Sequence, residues 1–325
     1  MLAVYATAPN RDNPLASLEV GDRPDPEVPA GWTTVAVRAA SLNHHDLFTL
    51  RGVGIPADRF PMILGCDAAG IDERTGAEVV VHSVISSPGW EGDETFDPKR
   101  TLLSELHPGT LAERVAVPGR NVVPKPAELS FAEAACLPTA WLTAYRMLFV
   151  RSGLAPGDTV LVQGASGGVA TALIGLARAA GYRVWVTGRT EAKRAAALGL
   201  GAHQAFEPGA RLPERVDAVM ETVGEATWQH TLRALRPGGT VVICGATTGP
   251  NPLADLSRVF FLQLSVVGST MGTREELRGL IAMLRATGLR PLVDTELPLA
   301  KARDGFAKML AGDTAGKIVF VQDAG

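Results

Sequence analysis

The stretch Thr159-Val160-Leu161-Val162-Gln163-Gly164-Ala165-Ser166-Gly167-Gly168-Val169-Ala170 decides the fold of this chain of 325 residues. Its apolar start predicts a buried strand, its small residues predict a sharp turn, and the Ala-rich segment 167–181 predicts a helix. Small residues let a pyrophosphate approach the backbone, where the helix start offers N–H groups and a partial positive charge. The turn therefore predicts a dinucleotide-binding site formed by Ala165, Ser166, Gly167, Gly168 and Val169.

Two other interpretations of this turn stay open. It can be an ordinary tight connection between a strand and a helix, or the nucleophile elbow of a hydrolase with Ser166 as nucleophile. A hydrolase would also need an acid and a histidine downstream, which Asp217 or Glu221 and then His230 could supply. Against this, His230 lies inside a predicted helix, no His-Gly-Gly segment precedes the turn, and the turn opens the α/β region.

The chain after the turn alternates between predicted strands and predicted helices. Strands are predicted at 183–187, 217–221, 240–245 and 265–268, and helices at 191–200, 226–235 and 257–263. This alternation is typical of βαβ units, which form a doubly wound parallel sheet. We therefore expect an α/β fold with a Rossmann domain at 138–268.

The rest of the chain follows a different pattern. The first third is rich in short β-type segments, and the polar, Gly- and Pro-rich segment 86–110 predicts a long surface loop. A single helix is predicted at 134–148, and the tail predicts helices at 274–287 and 300–310 and a last strand at 317–321. These segments predict a second, β-rich domain at 1–137 and 269–325.

The composition excludes several classes of protein. Lys and Arg number 31 and Asp and Glu 34, so the net charge of −3 argues against general binding to nucleic acid or to an anionic membrane. The three cysteines are odd in number and far apart, which argues against a disulfide scaffold and a four-cysteine zinc lobe. Neither a signal peptide nor an apolar stretch of membrane-spanning length is recognisable. We expect a cytoplasmic protein.

The end of the second strand of the α/β region predicts the choice of cofactor. An acidic residue at this point binds the ribose 2′-hydroxyl of NAD, and this chain has Gly188 there. Arg189 and Lys193 could hold a 2′-phosphate, and Thr190 adds a hydroxyl. This pattern predicts NADPH rather than NADH, although these basic residues could also simply solvate a surface helix.

Motifs along nearly the whole chain resemble the medium-chain dehydrogenase/reductase superfamily. The resemblance implies a GroES-like fold for the β-rich catalytic domain. The motifs are Asn43-His44-His45-Asp46-Leu47, Pro61-Met62-Ile63-Leu64-Gly65-Cys66-Asp67-Ala68-Ala69-Gly70, Gly109-Thr110-Leu111-Ala112-Glu113, Val122-Val123-Pro124-Lys125-Pro126, Leu235-Arg236-Pro237-Gly238-Gly239 and Gly316-Lys317-Ile318-Val319.

The chain departs from the zinc-dependent alcohol dehydrogenases that it resembles. Those enzymes have cysteine where Asn43 stands, histidine where Cys66 stands and cysteine where Thr139 stands. An amide, a thiol and a hydroxyl make a poor zinc site. The chain is therefore more similar to the zinc-free quinone oxidoreductase or enone reductase branch, and we expect no metal. A site built from Cys66 with His44, His45 or Asp67 remains an alternative.

The resemblance also implies roles for single residues. It places Asn43 near the nicotinamide and the substrate, His45 as proton donor, Thr139 near the ribose or nicotinamide, and Lys317 near the cofactor phosphates. Gly245 is also expected among the cofactor contacts. The alternatives are packing or surface positions for His44 and His45 and an ordinary strand position for Lys317.

These features together predict an NADPH-dependent, zinc-independent oxidoreductase that delivers hydride to a quinone or an α,β-unsaturated carbonyl compound. An alcohol or aldehyde dehydrogenase of the same superfamily and a non-catalytic NADPH-binding protein are the alternatives. The expected partner is a small electrophilic substrate. The family resemblance also implies a homodimer that pairs the strand at 264–268.

Overall fold

The computed structural model describes residues 1–322, and the chain in it divides into two compact units. The β-rich unit comprises Met1–Ala140 and the chain from Gly272 onward, and the Rossmann unit comprises Trp141–Met271. The sequence analysis placed both boundaries three residues earlier. The predicted β-rich domain ends at residue 325, and its last three residues, 323–325, lie outside the described residues.

The N-terminal part of the β-rich unit consists mostly of short strands. Alternating burial in the longest strand puts every second side chain into the core, as expected of a sheet with one covered face. The elements are β1 (Leu2–Ala6), β2 (Leu18–Asp22), β3 (Trp32–Ser41), α1 (His44–Leu50), β4 (Met62–Ile63), β5 (Asp67–Asp72), β6 (Glu78–Val81), β7 (Val84–Ile85), β8 (Thr101–Leu102), β9 (Arg114–Pro118), β10 (Val122–Pro124) and α2 (Phe131–Ala135).

The segment predicted as a long surface loop at 86–110 contains ordered elements. The carboxylate of Asp97 accepts hydrogen bonds from the backbone N–H and hydroxyl of Ser87 and from the N–H of Lys99. The segment also contains a short 3₁₀ turn at Glu94–Phe96, which Asp93 caps, and strand β8, which pairs with β7. The segment therefore carries side chains at fixed positions, among them Glu105.

The helix predicted at 134–148 is wrong as one continuous α-helix. After α2 the chain runs through a π-helical turn at Leu137–Trp141, then α3 (Leu142–Arg146) and a second π-helical turn at Met147–Arg151. Pro138 has no N–H to donate, so a regular ladder of hydrogen bonds cannot pass through it. Thr139 stands directly after this interruption.

The Rossmann unit contains a parallel sheet with helices between its strands. Within residues 141–271 the six strands have the order β13-β12-β11-β14-β15-β16, the arrangement of dinucleotide-binding folds. The remaining elements are β11 (Thr159–Val162), α4 (Gly168–Ala179), β12 (Arg183–Thr187), α5 (Glu191–Gly199), β13 (Gln204–Phe206), β14 (Val216–Glu221), α6 (Glu225–Ala234), β15 (Leu235–Ile243), α7 (Leu256–Phe261) and β16 (Ser265–Gly268). The α/β prediction is confirmed, although the sequence analysis missed the three-residue strand β13.

The C-terminal part of the chain completes the β-rich unit. It contains α8 (Arg274–Thr287), β17 (Val293–Pro298), α9 (Ala302–Ala311) and β18 (Lys317–Val321). Strand β18 pairs antiparallel with β3, with Val319 opposite Ser41, in the sheet β10-β6-β5-β3-β18-β17. Phe306 and Phe320 are fully buried in the core beneath this sheet. The pairing brings residue 317 beside the loop that follows β3.

In residues 1–322, none of the helices combines the length and the apolar character that crossing a membrane requires.

Candidate active site

The loop between β3 and α1 is fixed from both sides by one carboxylate. Asn43 is the N-cap of α1, and Asp46 accepts the N–H of Asn43 at 2.8 Å through Oδ2 and the N–H of Gly65 at 2.8 Å through Oδ1. One Asp46 oxygen therefore bonds the N-cap of α1, where a negative charge is favoured, and the other bonds the loop that contains Gly65. This arrangement sets Asn43 beside the segment that carries Cys66.

The Asn43 side chain lies between a cation and an anion. Its Oδ1 accepts a hydrogen bond from Lys317 Nζ at 2.5 Å, and its Nδ2 donates to Asp67 Oδ2 at 2.8 Å and to the Ser41 carbonyl at 3.3 Å. Asn43 is only 7% exposed. The sequence analysis predicted Asn43 as a catalytic residue, and the structure gives it a defined, almost enclosed position without testing that role.

Asp67 is the buried acceptor of this group. Its Oδ2 also accepts the Ser41 hydroxyl at 2.7 Å and lies 3.5 Å from Lys317 Nζ. Its Oδ1 is buried and has no hydrogen-bond partner among the described residues. A buried acceptor without a partner is rare and costly, so Asp67 keeps an unmet capacity for a donor or a cation.

His45 connects a surface carboxylate with a buried thiol. Its Nε2 lies 3.1 Å from Glu105 Oε1, and its Nδ1 lies 3.2 Å from Cys66 Sγ and 3.4 Å from Ser104 Oγ. The side chains of His45 and Glu105 are 21% and 25% exposed, whereas Cys66 is fully buried. The sequence analysis predicted His45 as proton donor but missed Glu105, which lies in the polar segment that carries no motif.

The electrostatics of these groups favour a charged imidazole. Burial by itself lowers the pKa of His45, but Cys66, the hydrogen bond to Glu105 and the charge of Asp46 raise it well above its usual value. Burial raises the pKa of Glu105, and its hydrogen bonds with His45 and Leu102 more than reverse this, so it is lowered overall. Burial raises the pKa of the Cys66 thiol. These shifts favour a protonated His45 beside an ionised Glu105.

The residues at the zinc positions of the resembling alcohol dehydrogenases do not fit a zinc ion. Asn43 uses its oxygen for the Lys317 ammonium and its nitrogen for Asp67. The Cys66 thiol already donates to the Leu103 carbonyl at 3.3 Å, and its sulfur lies 3.2 Å from His45 Nδ1. Thr139 offers only a hydroxyl. A positively charged ammonium therefore stands where a metal would need anionic ligands.

One other group of ligand types is close enough to consider. Within the described residues, His45, Asp46 and Cys66 each offer a ligand atom, and these atoms lie within 4.8 Å of one another. Both oxygens of Asp46 already accept backbone N–H groups, however. A metal here would have to take Asp46 away from the start of α1, so this group does not fit one either.

Thr139 lies in the π-helical turn of the β-rich unit. Its Oγ1 is buried and, within residues 1–322, has no hydrogen-bond partner. Isolated π-helical turns occur frequently at functional sites. A buried hydroxyl without a partner is available to a ligand, which agrees with its prediction as a cofactor contact but does not test it.

The glycine turn of the Rossmann unit is open on its outer side. Gly164 has a φ of +98°, which favours glycine, and a Cβ at Gly164 or at Gly167 would meet no atom within 4 Å. Gly167 is the N-cap of α4 and supplies no side-chain cap, so the first turn of this helix keeps N–H groups for a ligand. Thr187 ties the turn to β12 because its hydroxyl donates to Gln163 at 2.8 Å and accepts the N–H of Gly164 at 3.2 Å. The geometry suits the pyrophosphate of a dinucleotide.

The end of β12 is crowded where an acidic side chain would stand. A Cβ at Gly188 would lie 2.9 Å from Arg194 Cγ and 3.1 Å from Ala165 Cβ. Arg194 itself donates to the Gly188 carbonyl at 2.9 Å. Arg189 is exposed, and its guanidinium makes no hydrogen bond or ion pair within residues 1–322. Arg189 is therefore available to a ligand.

Three other predicted cofactor contacts, Thr190, Gly245 and Lys317, already have close neighbours within the protein. Thr190 caps α5, because its Oγ1 accepts the N–H of Lys193 at 3.3 Å. Gly245 follows β15, and a Cβ there would lie 3.2 Å from the Thr222 carbonyl. The Lys317 ammonium is buried in the β-rich unit among oxygen partners. Its contact with cofactor phosphates stays a prediction.

The hydrolase interpretation of the glycine turn finds no support in the position of His230. Its Nδ1 faces Gln163 Nε2 at 3.0 Å and its Nε2 lies 2.9 Å from the Ala210 carbonyl. Both ring nitrogens are therefore used in the core of the Rossmann unit. Burial also lowers the pKa of His230. This histidine has no nitrogen to offer to Ser166.

The fold and these sites define a protein with a Rossmann unit and a β-rich GroES-like unit. Its sequence matches the family described as "Alcohol dehydrogenase GroES-like domain" over residues 29–127 and the family described as "Zinc-binding dehydrogenase" over residues 168–286. A solved structure of an NAD-dependent alcohol dehydrogenase superimposes with a TM-score of 0.91 at 32% identity, covering 99% of this chain and 100% of the other.

Two curated relatives carry names that describe reductases. The 2-methylene-furan-3-one reductase of Solanum lycopersicum is 30% identical over 90% of this chain and 72% of its own length. The quinone oxidoreductase of Lama guanicoe is 28% identical over 88% of each chain. This chain therefore belongs to the medium-chain dehydrogenase/reductase superfamily, in its quinone oxidoreductase-like branch, and is an oxidoreductase.

Proposed function

We propose that this protein is an NADPH-dependent oxidoreductase that works without zinc and delivers hydride to a quinone or an α,β-unsaturated carbonyl compound. One observation carries the proposal: the Lys317 ammonium donates a hydrogen bond to the side-chain oxygen of Asn43, which the family resemblance places at a zinc position together with Cys66 and Thr139. The two relatives named for quinones and for a methylene-furanone support the acceptor class. Such acceptors are already electrophilic, so their reduction needs no Lewis acid.

The residues divide the work between the two units. The bound dinucleotide would supply the hydride. In the Rossmann unit, the backbone of Ala165, Ser166, Gly167, Gly168 and Val169 would hold its pyrophosphate. In the β-rich unit, the free hydroxyl of Thr139 and the amide of Asn43 would orient the reacting groups. His45 would donate the proton that completes the reduction, and one of its ring nitrogens would have to turn away from Glu105 or Cys66 to do so.

The preference for NADPH rests on the end of β12. Gly188 lacks the carboxylate that would bind a ribose 2′-hydroxyl, and its crowded Cβ position disfavours any side chain. Arg189 would bind the 2′-phosphate, with Thr190 and Lys193 nearby on α5. The similar solved structure is named for NAD, so the two cofactors must be compared directly in this protein.

The first experiment is cofactor oxidation by the purified protein with a panel of quinones, enones and simple aldehydes. The assay is run with NADPH and with NADH, before and after treatment with a chelator. Turnover of quinones or enones that survives chelation and favours NADPH is expected. Activity confined to aldehydes and lost with chelation would instead support a metal-dependent alcohol dehydrogenase, and no turnover with bound NADPH would support a non-catalytic role.

We also propose that the protein is a cytoplasmic homodimer, with a second copy of this chain at the β16 edge. Strand β16 ends the order of the Rossmann sheet and is largely exposed. Nearby, Leu253, Leu256, Phe260 and Phe261 are 70% to 84% exposed, which is unusual for monomers. Phe261→Asp should shift the sedimentation coefficient toward a monomer, whereas Leu310→Asp in the β-rich unit should not. Identical sedimentation of all three proteins would contradict this interface.

A further inference from the structure

Lys317 brings a charged group into the interior of the β-rich unit. Its side chain is only 4% exposed, and the side chain of Asp67 is fully buried. Buried charges are costly unless they are paired and hydrogen-bonded. Neither the fold nor the proposed hydride transfer by itself requires an ammonium at this point, so its position needs its own explanation.

Three oxygen atoms surround the ammonium. Lys317 Nζ donates to the Leu42 carbonyl at 2.7 Å and to Asn43 Oδ1 at 2.5 Å, and it lies 3.5 Å from Asp67 Oδ2. An ammonium has three hydrogens and no acceptor, so each hydrogen has one oxygen to face. A carbonyl, an amide oxygen and a carboxylate are also the ligands that a hard metal cation would choose.

The backbone determines that residue 317 reaches this place. Strand β18 pairs with β3 in a register that puts Val319 opposite Ser41, and the N–H of Leu42 donates to the Ile318 carbonyl at 2.9 Å. Gly316, just before the strand, has a φ of +112°, and a Cβ there would lie 2.3 Å from the Leu292 carbonyl. The strand pairing and the conformation of Gly316 therefore fix the backbone at the start of β18, and this places Lys317 beside the loop that contains Asn43.

The ammonium also decides which way the Asn43 amide faces. An asparagine amide can be turned over, which exchanges its oxygen and its NH₂ group. Here the oxygen faces Lys317, which can only donate, and the NH₂ group faces Asp67, which as a carboxylate can only accept. In the reversed orientation, the NH₂ group would face the Lys317 ammonium and the oxygen would face the Asp67 carboxylate, and neither pair could form a hydrogen bond.

We propose that Lys317 is the resident cation of this site: its ammonium fills the place beside the oxygens of Leu42, Asn43 and Asp67 that a divalent metal would take, excludes that metal, and holds the Asn43 amide in one orientation. Metal–oxygen bonds are about 2.0–2.6 Å long, so a metal on either oxygen would stand beside Nζ and be repelled by it. If the ammonium is removed, Asp67 is left with an unpaired charge and an Oδ1 that already lacks a partner. Lys317 is then a positioning residue for Asn43, and this part of the inference rests on the proposed function.

The test measures metal binding directly and does not depend on turnover. Zn²⁺ content after dialysis and Co²⁺ absorption spectra are recorded for the wild type, Lys317→Met and Lys317→Met/Asp67→Asn. Lys308→Met is the matched control, because Lys308 pairs with Asp294 in the same unit. We expect no stoichiometric metal in the wild type or in the control. Lys317→Met should bind Zn²⁺ about tenfold or more tightly than the wild type, the scale of one nearby charge, and the double variant should lose this gain.

Two results would overturn the exclusion of metal. One is stoichiometric Zn²⁺ in the wild type, which can be measured even if Lys317→Met does not fold. The other is a folded Lys317→Met variant that binds no more metal than Lys308→Met. The double variant, which carries neither buried charge, tests the positioning of Asn43. A reduced kcat with an unchanged KM for the cofactor is expected and would contradict the predicted contact of Lys317 with the cofactor phosphates, whereas a wild-type kcat would overturn the positioning role. A wild type that reduces no quinone or enone but excludes metal would reject the proposed function alone.

Discussion

The side-chain group around Asn43 and the glycine turn of the Rossmann unit are built in opposite ways. Asn43 meets Lys317 across 274 positions of sequence, and Glu105 meets His45 across 60. The glycine turn is one continuous stretch whose shape is set by its own backbone and by Thr187. The first site therefore depends on the complete fold of its unit, whereas the second depends mainly on local sequence.

The two regions also differ in what their side chains already bind. In the β-rich unit, Asn43, Asp67 and Lys317 bind one another while buried, and Asp67 Oδ1 lacks a partner among the described residues. In the Rossmann unit, Arg189 is exposed and without a partner within the described residues. Removing a member of the first set should affect folding, and removing Arg189 should affect only ligand binding.

The largest expected effect is the loss of stability in Asp67→Ala. This change leaves the Lys317 ammonium buried without its counter-ion, and breaking a buried ion pair in this way costs about 3–5 kcal/mol. Urea unfolding followed by circular dichroism gives the free energy of unfolding. Asp25→Ala is the control, because Asp25 is 64% exposed and pairs with Arg114 only at the surface. Equal stability of Asp67→Ala and the control would show that the Lys317 network does not support the fold.

The second prediction concerns Arg189→Glu in the Rossmann unit. Losing a charge-assisted hydrogen bond to a phosphate should weaken NADPH binding about 10–100-fold, with much less effect on NADH. Titration calorimetry with both cofactors measures the difference, and the free energy of unfolding should not change. Arg211→Glu makes the same change of charge at another exposed position of this unit and serves as the control. Equal weakening of NADPH and NADH would reject the 2′-phosphate contact.

Thr139→Val separates binding from folding within the β-rich unit itself. The Thr139 hydroxyl is buried and, in residues 1–322, has no partner, so replacing it by a methyl group should leave stability unchanged or slightly higher. If the hydroxyl orients the cofactor or the substrate, kcat/KM should fall about tenfold. Thr110→Val is a useful contrast, because the Thr110 hydroxyl donates to the Asp67 carbonyl at 2.8 Å and its loss should lower stability. Unchanged kcat/KM in Thr139→Val would remove Thr139 from the site.

The sequence predicted those parts of the molecule that local patterns determine. The strand at 183–187 and the helix at 274–287 have the same bounds in the structure, because apolar periodicity and the capping box at Thr273 define them locally. The glycine turn was recognised for the same reason. The fold class and the family followed from these local patterns together.

What the sequence analysis missed depends on contacts between distant segments. Helix α1 has only seven residues, and Asp46 stabilises its start by also bonding Gly65 of another loop. Glu105 lies in a polar segment without a motif, and only its contact with His45 in the folded chain identifies it as part of the candidate site. The place of Lys317 follows from the pairing of β18 with β3, which no spacing rule could reveal.

The smallest expected effect, and the one that depends on pH, comes from Glu105→Gln. The pKa of His45 is raised in the folded protein, so its contribution to stability is fully present below about pH 6.5, its usual pKa, and is lost as the pH rises through the folded value. The pKa of Glu105 is lowered, so Glu105 stays ionised throughout this window. Its contribution to stability is lost only at more acidic pH, where the carboxylate becomes protonated.

Glu105→Gln should therefore lower the pKa of His45, measured by NMR of its ring protons, and should cost up to about 1 kcal/mol of stability near pH 6, because the pair is partly exposed. The cost should shrink as the pH rises above the pKa of His45 in the wild type, since no imidazolium is then left to stabilise. Exposed Glu91 in the same segment provides the control, Glu91→Gln, which should not move the titration of His45. A pKa of His45 that stays the same in Glu105→Gln would mean that Cys66 and Asp46 alone hold its proton, and Glu105 would then have no part in the site.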